Sequence, residues 1–155
     1  SAVNFNAPGQ VVIAGAAKAV ERAIEGCKAR GAKRAVALPV SVPSHCELMR
    51  PAAERFAEAV EAVQWQLPQI ALVQNVTAQV PADLVALKRD LLAQLYSPVR
   101  WVESVQLLAE KGVTDLVECG PGKVLAGLNK RCAKGVTTHN LDSADAFGAA
   151  RAALA

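Results

Sequence analysis

This sequence of 155 residues has few aromatic residues and a small net charge. Phe, Trp and Tyr together make up 4%, which argues against an aromatic ligand cage, whereas the abundant alanine is typical of closely packed helices. The formal net charge is +3 at pH 7, and the basic residues are spread along the chain. The sequence therefore predicts no nucleic-acid-binding surface.

Long apolar runs are missing as well. No stretch approaches the roughly 20 apolar residues of a membrane span, and no signal-peptide pattern opens the sequence. With 52% hydrophobic and 20% charged residues, the composition predicts a soluble globular protein with a real core. The sequence begins without Met and leads directly into a strand-like stretch, so we expect its start to be a cut rather than a natural terminus.

The four cysteines form no recognisable pair. Cys27, Cys46, Cys119 and Cys132 are widely separated, without the spacing of a metal site or of a small secreted disulfide framework. We expect reduced thiols in a cytoplasmic protein. Although Cys46 is adjacent to His45, neighbours in an extended stretch point to opposite faces. A buried structural thiol is the better interpretation of Cys46.

Hydrophobic periodicity predicts that the first forty residues form an incomplete sheet layer. Residues 11–14 read as a strand, residues 17–30 as an amphipathic helix and residues 34–38 as a second strand. A stable sheet usually needs three or more strands. We therefore expect that partner strands of this unit are missing from the chain.

Beyond residue 40, helices alternate with short apolar strands. Helices are predicted over residues 47–63, 82–94, 98–111, 123–133 and 143–154. Strands are predicted over residues 70–73, 115–119 and 136–141. Such alternation is typical of a parallel sheet with helices on its faces.

His45 is the leading candidate for chemistry. Pro39 and Pro43 stiffen the extended segment that leads to it, and Ser44 is a reasonable N-cap for the helix that follows. A histidine at such a strand-to-helix junction can lie at the floor of a cleft and act as a general base. The other histidine, His139, has no companions in the sequence and is interpreted as structural.

Other polar groups give weaker signals. The stretch 120–123, Gly-Pro-Gly-Lys, could hold an anion at a helix start, but it lacks the Walker spacing, and a close-packing turn is the better interpretation. Asn4 and Asn6 flank a tight turn, where amides commonly bond nearby backbone. Lys33 and Arg34 are normally a solvated pair, although they could meet a phosphate or an acidic protein.

Four stretches, taken together and in order, resemble the malonyl-CoA:acyl-carrier-protein transacylases of bacterial fatty acid synthesis. They are residues 3–15, 38–49, 94–101 and 118–125. The resemblance implies an α/β fold. Residues 1–40 would be the latter half of a ferredoxin-like subdomain, and residues 41–155 the C-terminal part of an α/β-hydrolase-like core with a parallel sheet.

The resemblance also implies catalytic roles. His45 matches the family's catalytic histidine, and Gln94 matches a glutamine whose backbone carbonyl holds that imidazole in the correct tautomer. The family's nucleophilic serine lies in a Gly-His-Ser-x-Gly motif that this sequence lacks, and the neighbouring Ser44 cannot form the required hydrogen bond to His45. The resemblance therefore implies a C-terminal portion that is inactive without the nucleophile half.

Substrates and partners follow from the same resemblance. Asn4 and Asn6 match a strand that edges the active-site cleft, and Lys33 and Arg34 match basic residues that face the phosphates of coenzyme A or the acidic acyl carrier protein. Coenzyme A and phosphopantetheine thioesters would be substrates, and no metal or bound cofactor is expected. Malonyl-CoA, acyl carrier protein and the missing N-terminal half are the expected partners. The alternatives are an acyltransferase domain of a polyketide synthase and a non-catalytic carrier-protein-binding module.

Overall fold

A computed structural model describes all residues 1–155 as an α/β arrangement of four short strands and six α-helices. The strands are β1 (Ala2–Ala7), β2 (Gln10–Ile13), β3 (Asp115–Glu118) and β4 (Thr137–Asn140). The helices are α1 (Ala17–Ala29), α2 (Arg50–Ala62), α3 (Leu84–Ala93), α4 (Trp101–Glu110), α5 (Val124–Cys132) and α6 (Ala144–Ala153). None of these helices is long and apolar enough to cross a membrane.

Strands β1 and β2 form an antiparallel hairpin. Gly9 has a φ of 74°, a left-handed conformation that glycine adopts without steric cost and that the tight turn between the two strands requires. The other edge of β1 bonds to the segment before α4, because the N–H of Phe5 donates to the carbonyl of Val99 at 2.9 Å and the N–H of Val99 donates to that of Val3 at 2.8 Å. The hairpin is therefore fixed to the C-terminal part of the chain.

Strands β3 and β4 form a parallel pair, with α5 as the connection between them. The pairing runs in register from Asp115 opposite Thr137 to Glu118 opposite Asn140. Parallel neighbours need a crossover of this kind, and the alternation of strand and helix in the sequence predicted it correctly. The expected α/β class with a parallel sheet is confirmed.

A small buried cluster joins the hairpin to the helices beside it. Its members come from β1, α4 and α5: Ala7, Val105, Leu128 and Cys132. The half-buried rings and aliphatic side chains of Trp101, Leu116 and Leu125 pack around it. This cluster lies where the first and last thirds of the sequence meet.

Two predicted strands are absent, so those predictions were wrong. Residues 34–38 and 70–73 are not strands, and their apolar side chains are exposed, Leu38 by 53% and Ile70 by 84%. Both segments have the composition of strands, but a strand needs a neighbour with which to exchange hydrogen bonds, and no such neighbour lies beside them in this chain. The predicted helices are all present, with ends that differ by a few residues, as when α4 begins at Trp101 rather than at residue 98.

The chain exposes far more surface than a folded protein of its size. Its accessible area is 10451 Å² for a mass of 16.2 kDa, whereas a compact monomer of that mass exposes roughly 7,450 Å². Part of the excess comes from α2 and its flanks, where Leu48, Phe56 and Val63 are exposed by 57%, 39% and 55%. The accessible area thus exceeds that of a compact monomer by roughly 3,000 Å².

Candidate active site

The imidazole of His45 is held by the end of a distant helix. Its Nδ1 lies 2.6 Å from the backbone carbonyl oxygen of Gln94, and its backbone N–H donates to the carbonyl of Leu95 at 2.9 Å. Because a carbonyl oxygen can only accept, Nδ1 must carry the proton, and Nε2 keeps its lone pair. The half-buried ring is thus set up as a base at Nε2.

The acceptor carbonyl is free because of where α3 ends. Gln94 is the C-cap of α3, and the last carbonyls of a helix have no partner within the helix. The start of α3 is fixed by Asp83, whose carboxylate accepts from the N–H of Ala86 at 2.7 Å. A rigid helix with a defined start therefore presents its terminal carbonyl to the imidazole.

The backbone of His45 adopts a left-handed conformation, with φ of 64°. This region is costly for any residue with a side chain and, when other contacts enforce it, often marks a functional position. Cys46, the next residue, is 3% exposed, and its Sγ donates to the carbonyl of Pro43 at 3.1 Å, as expected of a structural thiol. Ser44 does not cap a helix: the short 3₁₀ helix Glu47–Met49 has Cys46 as its N-cap, and α2 has Met49, each without a side-chain hydrogen bond.

The four predicted substrate-binding residues lie in two places. Asn4 and Asn6 are half-buried on β1, and Asn4 forms a bridge with Val99, five residues beyond the acceptor of the imidazole. Lys33 and Arg34 are exposed in the loop after α1 and form no ion pair. The strand that carries Asn4 and Asn6 is thus bonded to a segment that follows Gln94 closely along the chain, whereas Lys33 and Arg34 lie in a separate loop. The roles of all four residues remain predictions.

The turn at residues 120–123 is not a vacant anion site. The carboxylate of Glu118 accepts the N–H groups of Leu125 and Ala126 at 3.0 and 2.9 Å, so these two part-buried amides at the start of α5 already have an acceptor. Glu118 also accepts from the side chain of Asn140 at 2.9 Å. Sequence reasoning missed this residue, although a Glu that ends a strand just before a Gly-rich helix start is a recognisable candidate for such a cap.

His139, interpreted from its sequence context as structural, has a partner that the sequence did not reveal. Its Nε2 lies 2.9 Å from the carboxylate of Asp115, which is on the neighbouring parallel strand. The hydrogen bond from His139, followed by that from Thr114, holds the pKa of the Asp115 carboxyl below its usual range. The pair joins β3 to β4 and has no contact with His45.

These features describe an α/β protein with a histidine held at Nδ1 by a helix-end carbonyl, an arrangement that suits the general base of an acyl-transferring enzyme. No family model matches the chain. Individual proteins do match the chain. Over nearly its whole length it is similar to malonyl CoA-acyl carrier protein transacylases. The transacylase of Salmonella typhimurium is 51% identical over 150 residues, which are 97% of this chain and 48% of that protein.

Solved structures agree. The malonyl-CoA:acyl carrier protein transacylase of Xanthomonas oryzae superimposes with a TM-score of 0.95 at 47% identity, over 98% of this chain and 48% of its own. A malonyl-transacylase in complex with a type II polyketide synthase acyl-carrier protein gives a TM-score of 0.93 at 48% identity, over 97% of this chain and 48% of its own. The predicted resemblance is confirmed. The chain spans about half the length of the curated relatives it matches, as expected of a C-terminal portion.

Proposed function

We propose that this chain supplies the histidine base of a malonyl-CoA:acyl-carrier-protein transacylase that serves fatty acid synthesis. The observation that carries the proposal is the 2.6 Å contact between Nδ1 of His45 and the carbonyl of Gln94, in a chain about half identical to enzymes of that name. The nucleophilic serine belongs to a second polypeptide segment that corresponds to the other half of the relatives. This chain together with that segment is called the assembled enzyme below.

The geometry suits a two-step acyl transfer. Nε2 of His45 takes the serine proton as the serine oxygen attacks the malonyl thioester, and it returns that proton to the departing coenzyme A thiol. The phosphopantetheine thiol of the carrier protein then gives its proton to Nε2 and attacks the malonyl-serine, and the proton passes to the serine oxygen. The Gln94 carbonyl keeps the proton of Nδ1 in place during both steps. Backbone N–H groups of the second segment stabilise the oxyanion.

The surface of the chain supports the need for a second segment. The excess of roughly 3,000 Å² over a compact monomer is the size of an obligate interface rather than of a transient contact. The extended residues 34–38 and 70–73, with exposed apolar side chains, are suited to pair with strands supplied by that segment. In the assembled enzyme, residues 1–40 would form part of a small ferredoxin-like subdomain and residues 41–155 part of the hydrolase-like core.

Substrate and carrier contacts complete the proposal. Asn4 and Asn6 line the cleft beside His45, and the exposed Lys33 and Arg34 bind the phosphates of coenzyme A or acidic groups of the acyl carrier protein. The solved complex of a related malonyl-transacylase with an acyl-carrier protein supports a carrier as partner. The reaction needs no metal or bound cofactor. The four unpaired cysteines fit a reducing, cytoplasmic location.

The test is transfer of radiolabelled malonyl from malonyl-CoA to acyl carrier protein. We expect no transfer by this chain alone, transfer by the assembled enzyme, and a loss of about 10²–10⁴-fold in the His45→Ala variant. The matched control is Gln94→Ala, which keeps the backbone carbonyl and should retain activity within about threefold, since only that carbonyl contacts the imidazole. Transfer by the isolated chain would refute the need for a second segment, and undiminished turnover of His45→Ala would refute the assignment of the base.

A further inference from the structure

An arginine beside the active-site turn has two well-defined partners. The guanidinium of Arg50 donates from Nε and Nη2 to the two carboxylate oxygens of Glu47, at 2.7 and 2.8 Å. Its Cζ also lies 4.1 Å from the centroid of the Tyr96 ring. The hydrogen bond from Arg50 holds the pKa of Glu47 below its usual range, so both members of the pair are charged at neutral pH. The contact with the aromatic ring and the two-pronged ion pair together restrict the orientation of the guanidinium.

The location of these partners matters more than their strength. Glu47 follows His45 by two residues, and Tyr96 follows Gln94 by two residues. The Arg50 contacts therefore join the two pieces of chain that carry the imidazole and its acceptor. They form a third link across this junction, beside the bond of Nδ1 to the Gln94 carbonyl and the bond of the His45 N–H to the Leu95 carbonyl.

The junction requires such a link because the turn at His45 is intrinsically unfavourable. A left-handed backbone at a non-glycine residue persists only when the surroundings enforce it. Two hydrogen bonds to the end of α3 are sensitive to small shifts between that end and the start of α2. A rigid contact between Arg50 on α2 and Tyr96 just after α3 limits those shifts.

We propose that Arg50, held by Glu47 and stacked on Tyr96, is a positioning residue that keeps the His45 turn against the Gln94 carbonyl. The proposal rests on the proposed function for its kinetic consequence, since Arg50 acts through His45 rather than on the substrate. Displacement of a catalytic group by about 1 Å can cost about 100-fold in rate. For loss of one of three links, we expect a smaller effect, about tenfold in kcat, with KM for malonyl-CoA changed less than twofold.

The test compares matched variants of the assembled enzyme. Arg50→Ala and Tyr96→Leu should each lower kcat about tenfold. Tyr96→Phe, which keeps the aromatic face, should leave kcat near the parent value. Arg55→Ala is the control, because Arg55 is an exposed arginine on the same helix that makes no hydrogen bond or ion pair. Glu47→Gln serves as a further variant if Arg50→Ala does not fold. The control for Glu47→Gln is Glu103→Gln, which weakens a similar Arg–Glu pair at the start of α4.

A spectroscopic readout separates positioning from general stability. The ¹⁵N shifts of the His45 imidazole, assigned by their absence in His45→Ala, should report a single tautomer protonated at Nδ1 in the parent enzyme and in Arg55→Ala. In Arg50→Ala the spectrum should shift towards a mixture of tautomers. An unchanged tautomer and unchanged kcat in Arg50→Ala, with His45→Ala inactive, would overturn the positioning role alone. Normal activity in both Arg50→Ala and His45→Ala would overturn the proposed function instead.

Discussion

The left-handed backbone of His45, with φ of 64°, predicts an unusual response to glycine. A residue with a Cβ pays about 1–2 kcal/mol to adopt this conformation, whereas glycine pays none of it but loses about 0.5–1 kcal/mol more in chain entropy on folding. His45→Gly should therefore be more stable than His45→Ala by about 0.5–1 kcal/mol. Both variants lose the imidazole and its bond to Gln94, so that loss cancels in the comparison.

The same pair of substitutions in a helix should give the opposite order. At Arg55, an exposed position inside α2, glycine should be less stable than alanine by about 1 kcal/mol because of its poor helix propensity. Urea unfolding of the four variants of the assembled enzyme measures both differences. With a typical slope of about 2 kcal/mol/M, the midpoint for His45→Gly should lie about 0.3–0.5 M above that for His45→Ala.

The outcome decides whether strain is stored at the active site. If glycine is less stable than alanine at His45, as it is expected to be at Arg55, the left-handed turn is not the working conformation and the reasoning fails. If glycine is the more stable while both variants are inactive, the protein keeps a destabilising residue because the chemistry requires an imidazole there.

Three further predictions concern pH, helix capping and carrier binding. Because the hydrogen bond from His139 lowers the pKa of Asp115, its stabilisation is complete above the ordinary carboxyl pKa and is lost as the pH falls through the lowered folded value; Asp115→Asn should flatten the acid side of the stability profile, and an unchanged profile would contradict this. Glu118→Gln should lower the free energy of unfolding in urea by about 1–2 kcal/mol, since charge-assisted bonds to the start of α5 are weakened; no change in the unfolding midpoint would argue against the cap. Replacing Lys33 and Arg34 together by Glu should raise KM for acyl carrier protein about tenfold with kcat preserved, and an unaltered KM would exclude them from the carrier surface.

The elements that the sequence predicts correctly are those whose partners lie within the chain. The strands at Asp115–Glu118 and Thr137–Asn140 pair with each other, and the helix between them is also present. The helices follow from local periodicity, which needs no distant partner. His45 was singled out by its place at a strand-to-helix junction, whereas Gln94 was suggested as its acceptor only by the family resemblance. The distance of 49 residues between His45 and Gln94 puts their contact beyond any local pattern.

The failures have a common physical origin in contacts that local patterns do not encode. Residues 34–38 and 70–73 have strand composition, but β-propensity reflects packing on a sheet rather than the presence of one. The partner of His139 was not predicted because Asp115 lies on another strand. Knowledge of the parallel pairing corrects this, since Val117 lies opposite His139 and Asp115 is two residues away on the same face.

The segment from Gln94 to Trp101 joins His45, β1 and the buried cluster. Its first residue accepts the proton of the His45 imidazole, Val99 pairs with the strand that carries Asn4, and Trp101 begins α4 and packs on the buried cluster. The His45 imidazole and the strand that carries Asn4 are thus both bonded to one short piece of backbone, which is anchored in the core of this chain. Under the proposed function, assembly with a second segment has to place only the nucleophile against an imidazole whose tautomer is already set.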